Sequence, residues 1–113
     1  MSQFLITALW STTDYDENNL DDKFSVDDIS EKFQNKAQAI CDTFLTKAKA
    51  LNLFTEEELD DVDDTIEHDL WLTIHDHGAG FWDGDYEHGE ALTKLAQTFP
   101  ELEDELRESL KVE

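Results

Sequence analysis

The sequence predicts an α+β domain in which a small sheet of about two to four strands packs against three or four helices. Three observations carry that prediction. Two short apolar runs, at 4–10 and 70–74, read as strands. A continuous apolar stripe from about Ser30 to Leu51 reads as one long helix. A chain of 113 residues, 39% hydrophobic with three Trp and seven Phe, makes one core-bearing domain over 1–113 and leaves little room for a second.

In the first run Phe4, Ile6, Ala8 and Trp10 alternate with Leu5, Thr7 and Leu9. Both faces are largely apolar, as in a central strand. A polar loop rich in Asp and Asn follows, from Ser11 to Lys23. Ser25-Val26-Asp27-Asp28 has the form of a helix N-cap with Asp at the third helical position. In the long helix, Phe33, Ala37, Ile40, Cys41, Phe44, Ala48 and Leu51 recur at spacings of three and four. Lys47 and Lys49 complement the dipole at its end, and Asn52 suits the residue after the C-cap.

Thr55-Glu56-Glu57-Glu58 is a full capping box, opening a helix that carries Leu59, Val62 and Ile66 inward. Leu70-Trp71-Leu72-Thr73-Ile74 reads as the second strand, and the glycine-containing segment 75–86 as a loop or tight hairpin. A third helix runs from about Glu87 to Phe99 and stops at Pro100. Beyond it, Leu102, Leu106 and Leu110 fall four apart and predict a short acidic helix.

Charge narrows the function. The formal net charge is −21, from 29 Asp and Glu against 8 Lys and Arg. Phosphate backbones are gripped by clustered Lys and Arg, so direct binding to nucleic acid or anionic membrane is excluded as an expectation. The start of the chain lacks the basic region of a signal peptide and no run approaches membrane-spanning length, which predicts a cytoplasmic protein. The single cysteine, Cys41, sits in the apolar stripe beside Asp42 and reads as a core thiol, not a nucleophile.

Other constellations are incomplete. On a strand, His75 and His77 would share a face with Asp76 between them, and His68 and His88 lie near in sequence. A structural role for His77 within the glycine loop is preferred, so no metal or other cofactor is expected. Asp14-x-Asp16-x-Asn18 with Asp22 imitates part of a calcium loop, but Asn19 replaces the required Gly and Ser25 the bidentate Glu. Gly78-Ala79-Gly80 lacks the Lys of a phosphate loop. Asp83 and Asp85 form no more of an acid–base pair than any two Asp of so acidic a chain. No nucleophile elbow or triad is present, and the chain reads as non-enzymatic.

Ala8-Leu9-Trp10-Ser11, then Leu20-Asp21-Asp22 and Ser25-Val26-Asp27-Asp28-Ile29, form one recognisable set. Asp69-Leu70-Trp71-Leu72-Thr73 followed by His77-Gly78-Ala79-Gly80-Phe81-Trp82-Asp83 form a more specific one. Together these stretches, spanning roughly 8–92, resemble a family of small, largely uncharacterised bacteriophage and prophage proteins. Ile74-His75-Asp76 departs from that pattern, where the family shows a basic residue, Asn and Gly, and the acidic tail differs from the family's β-type ending. The resemblance implies phage or prophage origin and a shared fold; it carries no activity.

Two functional expectations follow. In the first, the chain is a phage accessory protein resembling the acidic DNA mimics that inhibit host defence proteins. Glu56, Glu57, Asp60, Asp61, Asp64, Asp104, Glu105 and Glu108 would meet a basic host surface. In the alternative, His77, Gly78, Gly80, Phe81, Trp82 and Asp83 build a small-ligand or metal pocket lined by Trp10, Trp71 or Trp82. If instead the motif serves the fold, it is a hinge between the second strand and the third helix, with Asp83 or Asp85 capping.

Overall fold

The structure, a computed structural model, describes residues 2–14, 16–60, 65–75, 80–81 and 86–110. Among them the chain is helical: α1 (Ser2–Ser11), α2 (Glu31–Ala50), α3 (Glu56–Leu59), α4 (Glu67–Ile74), α5 (Gly89–Ala96) and α6 (Glu103–Leu110). Short 3₁₀ turns at Leu20–Asp22 and Val26–Asp28 lead into α2. The described residues contain no strand, only an isolated antiparallel bridge between Thr13 and Asn19. The expected α+β fold with a sheet is therefore wrong, and so are both expected strands.

The first run is α1. Its buried residues are Phe4, Leu5, Thr7, Ala8 and Leu9, whereas Ile6 and Trp10 are 44% and 40% exposed. A strand would place Ile6 and Trp10 on the same face as Phe4 and Ala8. Exposure at spacing four is helical instead. The alternation misled because the run is apolar on both faces, and periodicity cannot tell a buried strand from a buried helix there. Leu and Ala also favour helix.

The second run is α4, and its environment explains the confusion. Leu70, Trp71, Leu72, Thr73 and Ile74 are all buried, on every side of the helix. A helix covered all round shows no polar stripe, so its sequence carries no 3.6-residue signal. α1 packs mainly on α4; α5 touches both α4 and α2, and α6 lies on α2.

The amphipathic reading succeeded where water marks one face. In α2, Phe33, Ala37, Ile40, Cys41, Phe44 and Ala48 are buried as spaced, and Ser30 accepts the Phe33 amide as N-cap at 3.2 Å; Leu51, expected in the stripe, is instead the C-cap and 62% exposed. Asn52 takes the left-handed conformation (φ 56°) after the helix. The Thr55 box forms, with the Thr55 amide donating to Glu58 Oε1 at 2.8 Å and the Glu58 amide to Thr55 Oγ1 at 3.1 Å. The Ser25–Asp28 box also forms, but it closes a 3₁₀ turn rather than opening a long helix.

α5 is shorter than the predicted 87–99 helix, and Leu95 and Phe99 pack only partly against the core. The tail helix is present, and Leu102, Leu106 and Leu110 are buried, so it belongs to the core rather than lying along it. Its start is anchored by Leu102 N–H donation to His75 Nε2, and its end by Ser30 N–H donation to Ser109 Oγ.

The helical register of α1 has a direct test. Leu5→Asp or Leu9→Asp should unfold the protein, whereas Ile6→Asp and Trp10→Gln, at half-exposed positions, should cost much less, about 1 kcal/mol, the centre of the range for single substitutions. Urea unfolding of the four variants measures this, and similar losses in all four would restore the strand. Leu106→Ala should cost on the order of 2–5 kcal/mol, as expected of a core leucine.

Candidate interaction surface

The acids predicted to meet a partner do not form one surface. α3 carries Glu56, Glu57 and Asp60, all exposed, at the C-terminal half of α2. That end is fixed by the aromatic cluster in which Phe44 of α2 stacks on Phe81 at 5.4 Å and meets Phe54 at 6.1 Å. The tail acids sit toward the other end, where Ser109 meets Ser30 and Glu105 pairs with Lys36. From Lys36 to the end of α2 at Ala50 the helix rises by a length on the order of 20 Å, which separates Glu105 from α3. Asp61 and Asp64 lie outside the described residues.

The two groups also differ in what neutralises them. Glu105 is ion-paired to Lys36 at 2.5 Å, and Asp104 to Arg107 at 2.9 Å. Glu105 and Glu108 line an open groove of about 740 Å³ between α2 and α6, shared with Lys32 and Lys36. Glu56, Glu57 and Asp60 are in no ion pair with a described basic residue. They gain neighbours that the sequence does not reveal. Glu58, already in its capping box, accepts the Glu87 amide at 3.1 Å through its other oxygen, which brings Glu87 and the start of α5 beside α3. No sequence spacing announces this juxtaposition across 29 residues.

Four of the eight basic residues, Lys32, Lys36, Lys47 and Lys49, lie on α2. Half of the cations thus lie along one helix, and the acids at 16, 17, 21 and 22 and Glu56 and Glu57 of α3 are exposed.

The loop that imitates a calcium site is closed by protein groups. Asp14 Oδ1 accepts the amides of Asp16 at 2.8 Å and Asn18 at 3.0 Å, while Oδ2 pairs with Lys23 Nζ at 3.2 Å. The Asn18 amide above all, with Asp16 and Lys23, holds the Asp14 carboxyl below its ordinary range against an opposing cost of burial. Among the described residues, no group of three His, Cys, Asp or Glu is placed to hold a metal ion. His75 has both ring nitrogens engaged, by the Trp71 carbonyl and the Leu102 amide. His68 bonds Thr7 Oγ1 at 2.9 Å and stacks on Trp10. Burial, reinforced by the Glu67 charge, pushes the Cys41 thiol up to about 12, which makes it inert.

Of the glycine-aromatic motif, His77, Gly78, Trp82 and Asp83 lie outside the described residues, as does Asp85. Gly80 and Phe81 are described, and both serve packing. Phe81 is fully buried against Phe44, Phe54 and Tyr86. Its amide donates to Thr73 Oγ1 at 3.1 Å. Gly80 has φ 131°, and a Cβ there would fall 2.2 Å from Thr73 Oγ1 and 3.2 Å from the Asp69 carbonyl. The segment therefore joins α4 to α5, not a strand to a helix. Of the tryptophans expected to line a pocket, Trp82 lies outside the described residues and Trp10 is 40% exposed. Trp71 is fully buried, with its indole N–H donating to Ser11 Oγ at 2.8 Å. A shallow cleft of about 490 Å³ does adjoin Phe81 and Tyr86, walled by Glu87, Glu90 and Lys94.

The chain matches no known family model, no curated protein and no solved structure. Among the described residues no helix is long and apolar enough to cross a membrane.

Two measurements follow. Gly80→Ala should destabilise by an amount on the order of 1–3 kcal/mol from backbone strain, with the Thr73 clash added. Unchanged thermal unfolding would show that the residue is not there for the fold. Asp14 ionises more readily folded than unfolded, so it adds stability above its ordinary value of 3.8 that is lost as pH falls through its lower folded value. Asp14→Asn should thus be less stable than wild type at neutral pH, with the gap closing below about pH 4 in urea unfolding.

Proposed function

We propose that this chain is a non-enzymatic, protein-binding factor that occupies the basic, nucleic-acid-binding surface of a bacterial protein. The carrying observation is charge density in a folded body. The net charge of −21 is spread over a molecule whose long axis is 42 Å, so 21 charges over 42 Å gives about 2 Å per charge. Duplex DNA presents one charge per roughly 1.7 Å of axis. A protein that reads DNA by its phosphates would meet a similar potential here, on a helical scaffold.

α3 is the favoured centre of contact. Glu56, Glu57 and Asp60 are exposed and not paired with any described cation, and Glu87 lies beside them. The tail acids Asp104, Glu105 and Glu108 contribute a weaker field, because Arg107, Lys36 and Lys32 lie among them. The resemblance to small bacteriophage and prophage proteins supports a phage origin, and from such an origin a host protein as target and action in the bacterial cytoplasm would follow. Inhibition of a host defence protein is the role that such mimicry would serve.

Capture from bacterial lysate in low salt, followed by displacement of a labelled duplex from the captured protein, tests the proposal. Binding should weaken by about tenfold or more between 50 and 200 mM salt, since several charge contacts are broken. The triple variant Glu56→Gln, Glu57→Gln, Asp60→Asn should weaken it further, and Glu105→Gln much less. A partner held with undiminished affinity at high salt would rule electrostatic mimicry out.

A further inference from the structure

His75 ends α4 with 7% of its surface exposed. Its Nε2 accepts the Leu102 amide hydrogen at 2.8 Å, so that nitrogen carries no proton. The ring proton therefore sits on Nδ1, which donates to the Trp71 carbonyl at 2.8 Å. One neutral tautomer satisfies both contacts. The imidazolium cannot, because a proton on Nε2 would face the Leu102 N–H, donor against donor, in buried surroundings.

Leu102 is the fully buried residue through which the chain enters α6 after Pro100. We propose that His75 is a pH-sensitive latch: neutral, it clamps the start of α6 to α4, and protonated, it lets that start go. This inference is independent of the acidic-surface reading. Imidazole changes charge between about pH 5 and 8. The other described attachments of α6 do not. They are the buried Leu106 and Leu110, the Ser109–Ser30 contacts, the Arg107 bond to the Thr13 carbonyl at 2.7 Å and the Lys36–Glu105 pair.

Glu101 and Glu103 flank Leu102 in the sequence. On α4 itself the titratable groups are Glu67, which accepts the Phe4 amide, His68, bonded to Thr7, and Asp69, bonded to Tyr86. α1 carries no charged side chain, and on α5, which also packs on α4, Glu90 and Lys94 pair with each other. On α2, Cys41 does not ionise in this range. Asp14, beyond the end of α1, is occupied by Lys23.

Amide hydrogen exchange of the intact protein between about pH 7.5 and 5.5, corrected for intrinsic rates, tests the latch. Opening at Leu102 and Leu106 should rise about tenfold or more toward low pH, while the Ile40 and Phe44 amides of α2 stay protected. His75→Gln offers an acceptor without a titrating ring and should abolish that rise. Equal pH dependence in both proteins, or parallel loss in α2, overturns the proposal. Nitrogen NMR of the wild-type ring gives a second readout that needs no variant. Protonation on Nδ1 alone at neutral pH is expected, and an Nε2–H tautomer would end the argument.

Discussion

A helix enclosed on every side has to find a partner for each polar group it carries, and in this protein that requirement converges on Trp71. Its ring is fully buried, meeting Phe4 edge-on at 5.2 Å and His75 at 3.9 Å. Its indole N–H reaches Ser11 at the end of α1, and its carbonyl receives the imidazole that in turn holds Leu102. One residue thus ties the N-terminal helix, the central helix and the entry to the C-terminal helix. A buried donor left without an acceptor would cost about 1–3 kcal/mol, so these bonds fix which helices can surround α4.

Around that centre the packing is mostly aromatic and aliphatic. The cluster of Phe44, Phe54, Phe81 and Tyr86 fastens the C-terminal half of α2 to the segment between α4 and α5. Thr73 and Gly80 set how closely that segment approaches α4, because the Phe81 amide bonds the threonine hydroxyl where a side chain at 80 would otherwise sit. The same core has to hold against the self-repulsion of a chain at −21. Buried Glu67 is put to structural use, accepting the Phe4 amide in the first turn of α1, where that helix has no acidic residue of its own.

The legible parts of the chain were those with one face in water. α2 and α6 announced themselves through apolar spacing, and the Thr55 box through side chains that act on their own backbone. α1 and α4 did not, since an apolar run covered on nearly all sides loses the period that separates helix from strand. The candidate surface was legible as a quantity of charge but not as a map. Glu105 and Asp104 look like Glu56 and Glu57 in sequence, yet Lys36 and Arg107 neutralise the first pair alone.

By itself the sequence determined the sign and magnitude of the field, the long helix and the caps that begin and end it. These depend on composition or on neighbours within a few residues, where side chain and backbone interact without help from the fold. Only the tertiary structure decided that the two apolar runs are helices. Enclosure by other segments supplies the burial that either conformation could have used, while a helix alone satisfies its own backbone without a strand partner. Tertiary structure also turned His75 from a candidate ligand into a bonded junction, because its second partner, Leu102, lies 27 residues away and reaches it only when α6 folds back onto the core.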